Sequence, residues 1–76
     1  MKVWIVKDIN DETVVAQTAN DAYNICRRCI KENMADDDDD DVEWFLNELA
    51  HSYSNSRADF GVENVIWAVA MDVVKE

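Results

Sequence analysis

The chain has 76 residues, with 7 Lys and Arg against 17 Asp and Glu, a formal net charge of −10 and a hydrophobic content of 49%. A chain of this length forms one compact domain over residues 1–76, burying about 60% of its unfolded surface, and it has enough apolar material for a core. The acidic excess argues against direct binding of nucleic acid and of an anionic membrane surface, because both need basic counter-surfaces.

Residues 2–9 gather Val3, Trp4, Ile5 and Val6, and residues 13–18 gather Val14, Val15 and Ala16. Both segments have the composition of strands. The short polar residues Asn10, Asp11 and Glu12 between them tolerate turn conformations, which makes the pair a hairpin. Lys7 and Asp8 interrupt the first apolar run before it reaches signal-peptide length, pointing to a cytoplasmic protein. The longest apolar run, Val65 to Met71, is far shorter than the roughly 20 residues of a membrane-spanning helix.

Thr18 is placed to cap a helix, with Asp21 in its favourable first turn. Ala22, Cys26, Cys29 and Ile30 recur at steps of three and four, so one face of this helix docks on the hairpin and the helix ends near Met34. Six consecutive aspartates follow: Asp36, Asp37, Asp38, Asp39, Asp40 and Asp41. Mutual repulsion and poor helix propensity predict a solvated loop over at least the first half of this run. Val42, Phe45, Leu46, Leu49, Ala50 and Tyr53 then form the stripe of a second helix, with the last aspartates at its positive dipole end.

Ser52, Ser54, Asn55 and Ser56 weaken that helix, and Arg57 to Gly61 reads as a connecting loop. Val62 to Glu76 fits two patterns. As a strand it sets Val65, Trp67, Val69, Met71 and Val73 on one face and Ala68 and Ala70 on the other; as a helix it has a stripe of Val62, Val65, Ile66, Val69, Ala70 and Val73. Its density of Val, Ile and Trp favours the strand. The expected fold is α+β: a small antiparallel sheet, made of the N-terminal hairpin plus a C-terminal strand, packed by two helices in the order β-β-α-α-β. The alternative is a hairpin plus three helices.

Three arrangements invite a chemical reading. Cys26-Arg27-Arg28-Cys29 has the spacing of a redox pair or half a zinc site, but a closed zinc site needs four ligands, and two small core residues are the plainer reading. Counting from Asp37 puts Asp39, Asp41 and Glu48 at positions three, five and twelve of a calcium loop, yet position six is Val42, where the sharp turn needs glycine. His51 has Ser52, Ser54 and Asp59 near it in sequence, but neighbours on one helix rarely face each other. The expectation is therefore a protein that is not an enzyme and takes neither metal nor cofactor.

The charge itself is the most specific feature. From Glu32 to Glu48 there are nine acids and no basic residue. Extended aspartates present about one charge per 3.3 Å, close to the roughly 3.4 Å between phosphates along a DNA strand. Asp36 to Asp41, Glu43 and Glu48 are therefore read as phosphate surrogates that steer the chain onto a basic nucleic-acid channel. Trp44, off the helical stripe, is read as an anchor on the partner, while Trp4 and Trp67 are read as core. The plainer reading makes the run a solubilising loop.

Met1-Lys2-Val3-Trp4-Ile5-Val6, then Val14-Val15-Ala16, then Asp21-Ala22-Tyr23 leading a helix to Ile30-Lys31-Glu32-Asn33, resembles small accessory proteins of bacteriophages and prophages over residues 1–34. Some small acidic proteins of this kind are anti-restriction or anti-CRISPR inhibitors that imitate nucleic acid. The resemblance implies a phage-derived inhibitor in the host cytoplasm, acting on a basic nucleic-acid-binding enzyme such as a defence nuclease, and it brings no catalytic residues. The alternative is a structural or oligomerisation module, a homodimer formed through Trp44 and a free strand edge.

Overall fold

A single carboxylate organises the first turn of the chain. In the computed structural model, which describes residues 1–73, strands β1 (Lys2–Asp8) and β2 (Thr13–Ala16) flank it. One oxygen of Asp8 accepts the backbone N–H groups of Asn10 at 2.9 Å and Glu12 at 3.0 Å. Asp11 takes the left-handed conformation, with φ 62°, which a short polar side chain tolerates better than most.

Helix α1 (Ala19–Asn33) starts where Thr18 Oγ1 accepts the Asp21 N–H at 3.0 Å and stops at Met34, whose N–H still donates to the Ile30 carbonyl at 3.0 Å. Helix α2 (Asp39–Asn55) begins inside the aspartate run, with Asp39, Asp40 and Asp41 in its first turn. Their charges meet the positive end of the dipole, which offsets the low helix propensity of aspartate. The serines near its end do not stop it.

The C-terminal third departs from the expected single strand. β3 (Asp59–Val62) takes in the end of the segment read as a loop and the start of the one read as a strand, a turn interrupts that strand over 63–65, and β4 (Ile66–Asp72) completes the sheet. The architecture is therefore α+β with the order β-β-α-α-β-β, and the helical alternative for this segment does not hold. The part of the predicted strand over 74–76 lies outside the described residues. In β3, Phe60 is fully buried and Val62 is 8% exposed; burial of these two side chains outweighs the polar and glycine content that pointed to a loop.

The sheet is antiparallel throughout, in the order β2-β1-β4-β3. β1 and β4 pair along their full length, from Lys2 opposite Asp72 to Asp8 opposite Ile66. α1 packs over β1, β2 and β4, and α2 packs against β3 and α1. The buried set runs through Val6, Ala16, Ala22, Cys26, Ile30, Leu49, Phe60, Val62, Ile66 and Ala68. Trp4 is half-buried on this layer, and its indole N–H donates to the Arg57 carbonyl at 2.7 Å.

The alternation predicted for the last strand holds, and it is the small side that is buried. Ala68 faces the core at 0% exposure, while Trp67, Val69 and Met71 face outward at 36%, 41% and 54%. Small residues on the covered side let α1 approach the sheet closely. Trp67 is thus not a core residue.

The outer edge of β3 is secured by α2: the Gly61 N–H donates to Ser52 Oγ at 3.0 Å. Replacing Ser52 with alanine leaves that part-buried amide without its partner and is expected to lower stability by about 1–2 kcal/mol. Chemical denaturation of S52A measures it, and a loss below about 0.3 kcal/mol would mean that water replaces the hydroxyl.

Candidate protein-binding site

The aspartate run turns the corner between the two helices. Asp36 and Asp37 follow the last turn of α1, with the Asp37 N–H donating to the Met34 carbonyl at 3.0 Å. Asp38 caps α2 through its backbone, accepting the N–H groups of Asp41 and Val42, each at 3.1 Å. All six aspartates are exposed. The fully extended ladder expected from charge spacing is replaced by a compact, charged corner, because the second half of the run is helical. Only Asp39, Asp40 and Asp41 follow one another on α2, about 1.5 Å of rise apart and fanned around the axis; Glu43 and Glu48 continue the charge at wider intervals.

Helical geometry carries the charge onward. Asp41, Trp44 and Glu48 are spaced i, i+3 and i+7 and share the outer side of α2, with Asp40 and Glu43 next to them. All five are exposed, Trp44 at 56%. The Trp44 ring stands edge-on to Phe45, with centroids 5.0 Å apart and planes at 85°, which holds the indole at the surface. Among the described residues the one ion pair is Lys7 with Asp11, at 3.4 Å, so the corner carries its charge uncompensated.

The tertiary structure adds residues that local sequence did not point to. A shallow groove runs between the outer side of α2 and the β3–β4 hairpin, bordered by Trp44, Glu48, His51, Gly61, Glu63 and Trp67. The Trp67 ring reaches it by lying across Gly61, where the backbone has no side chain to obstruct it. The Trp67 indole N–H donates to the Asp59 carboxylate. Two indoles and two glutamates, from elements far apart in the chain, therefore share one groove. The only sequence signal for it was the alternation that set Trp67 and Ala68 on opposite faces.

The remaining polar candidates are placed elsewhere. Cys26 is fully buried, and burial, followed by the neighbouring Cys29, pushes its thiol up to about 12. The Cys29 thiol is also raised, first by burial and then by the carboxylates of Asp8 and Glu32. Both are thiols packed in or against the core. Asp39, Asp41 and Glu48 lie on regular helix, not in the loop that calcium coordination requires. Among the described residues no three His, Cys, Asp or Glu are grouped to hold a metal ion. Ser52 and Asp59 are engaged separately, by Gly61 and Trp67, and are not drawn to His51.

No protein-family model, curated protein or solved structure matches this chain. Among the described residues no helix is long and apolar enough to cross a membrane.

Proposed function

We propose that this protein binds a basic, nucleic-acid-binding protein and occupies the surface on which that partner would hold phosphates. The observation that carries this reading is the exposed corner of Asp36 to Asp41, continued along α2 by Glu43 and Glu48 around an exposed Trp44. Uncompensated charge at that density attracts a basic surface from a distance and speeds encounter. The groove between Trp44 and Trp67, with Glu48 and Glu63 on its rim, suits the arginine or lysine side chains of such a partner. A cation over an indole face gains about 0.5–2 kcal/mol as it is desolvated, and the glutamates orient it. In its narrowest form the reading is a phage-derived inhibitor of a host defence nuclease, which is the function that the resemblance of residues 1–34 implies.

Asp39 to Asp41 support the first turn of α2, whereas Asp36 and Asp37 lie outside both helices. Asp36 and Asp37 follow the negative end of the α1 dipole and precede the positive end of the α2 dipole, so the two fields oppose each other and the repulsion between neighbouring carboxylates is left. Changing these two to asparagine is therefore expected to leave the melting temperature unchanged or raise it, while weakening partner binding. That opposition of sign separates a binding role from a folding role.

The experiment is capture from a bacterial lysate on the immobilised wild type and on a variant with Asp36 to Asp41 all changed to asparagine. The expected result is a nucleic-acid-binding protein retained only by the wild type and released both by 0.5 M salt and by added duplex DNA. Equal capture by the two proteins, or elution indifferent to salt and DNA, overturns the reading.

A further inference from the structure

On the side of the sheet away from the helices, the register brings three rows of side chains together. Val15, Ile5 and Val69 lie side by side across β2, β1 and β4, with Asp59 of β3 at the end of the row. Val3 and Met71 pair on one side of that row, and Thr13, Lys7, Trp67 and Gly61 line up on the other. Val15 is 59% exposed, Met71 54% and Val69 41%. No element of the described residues packs on this face.

We propose that this open sheet face is an interface between two copies of the chain, which pack face to face as a β-sandwich. Charge argues for a copy of itself as the occupant. The chain has a net charge of −10, yet this face carries one lysine and one aspartate. Both are already engaged, Lys7 with Asp11 and Asp59 with the Trp67 indole. A basic partner is drawn to the acidic corner on the helix layer, not to a neutral apolar sheet. A second copy offers the same neutral surface and leaves both acidic corners pointing outward.

Size is consistent with a weak, reversible dimer. Four strands about 4.8 Å apart, seven residues long in the two central strands and four in the two outer ones, make a face of roughly 350 Å². Two such faces cover roughly 700 Å² before the relief of the side chains is counted, below the about 1,200–2,000 Å² of specific stable interfaces, so the association is weak. A two-fold axis parallel to the strands sets β1 on the partner's β4, which places Ile5 against Val69 and Val3 against Met71. Two acidic corners on one particle would also give any partner with two basic sites an avidity that the monomer lacks.

The proposal shares Trp67 and Gly61, at the border of the two surfaces, with the partner-binding reading, and salt separates the two. Association through an apolar face between like-charged chains is strengthened by salt, which screens their repulsion, whereas capture by the acidic corner is weakened. Sedimentation equilibrium from 5 to 500 µM is expected to give a concentration-dependent mass approaching twice 8.8 kDa, shifted further toward dimer in 0.5 M salt. Val69→Lys and, separately, Val15→Lys are expected to weaken dimerisation at least tenfold, with thermal melts confirming that each is folded. The wild type's Val15 and Ile5 amide and methyl NMR signals should move with concentration, a readout that needs no variant. A wild type that stays monomeric at 500 µM overturns the proposal and leaves the face to another occupant. So does a dimer that both lysine variants preserve, or one dissociated by salt.

Discussion

Alanine in place of Gly61 is expected to destabilise the protein by about 2–4 kcal/mol. A Cβ at this position meets the carbonyl oxygen of Ile66 at once, and lies 2.8 Å from both the Cα and the Cε3 of Trp67. The first two are backbone atoms of the paired strand and cannot swing aside. Gly61 also sits at φ 158°, outside the range that side-chain-bearing residues favour. Relief requires β3 to peel from β4, which breaks the ladder and withdraws the Gly61 N–H from Ser52. Urea denaturation of G61A measures the loss. The same variant should tilt the Trp67 ring out of the groove, so partner capture should fall with stability at temperatures where the fold persists. A midpoint within experimental error of the wild type would mean that the hairpin accommodates the methyl group by a rigid shift.

Raising the pH above 9 is expected to remove about 4 kcal/mol of stability by pH 12, through one buried thiol. In the unfolded chain Cys26 releases its proton near the ordinary value of 9.0; in the folded chain burial, reinforced by Cys29, delays this to about 12. Between those values the folded state binds more protons than the unfolded state, so stability falls as pH rises, at about 1.4 kcal/mol per pH unit for a single group. The contribution is fully present below pH 9 and is lost as pH rises through the folded value. Against the 5–15 kcal/mol typical of a domain this is a large fraction. Denaturation midpoints at pH 8, 9.5 and 11 check it. Cys26→Ala should flatten most of the decline, at a cost of about 1–2 kcal/mol at pH 7 from the smaller side chain. A thiol reagent should label Cys26 only as the protein unfolds. An unchanged slope in C26A would assign the alkaline loss to other groups.

Much of the fold was legible because its signals are local. Thr18 caps α1 through Asp21 as its position implies, and Ala22, Cys26 and Ile30 form the buried stripe. The stripe of α2 holds too, with Leu49 at its centre and Val42, Phe45, Leu46, Ala50 and Tyr53 half-buried along it. β3 was not legible, because Arg57 to Gly61 carries turn-forming residues and only Phe60 and Val62 alternate. What makes it a strand is pairing with β4 on one side and support from Ser52 on the other, both non-local.

For the site, the sequence by itself determined where the charge is. Nine acids without a basic residue between Glu32 and Glu48 make an acidic surface in any fold that solvates them. It also determined that the last strand has a large side and a small side. Only the tertiary structure decided which side is buried, because that depends on how closely a helix approaches. α1 packs over β4 on the side where Ala68 is buried and leaves Trp67, Val69 and Met71 outside. Only the tertiary structure brought Trp67 over Gly61 to face Trp44, since a groove between a helix and a hairpin depends on packing and not on periodicity. Periodicity and charge are properties of neighbours along the chain, whereas a face becomes core or surface according to what else the chain can lay upon it.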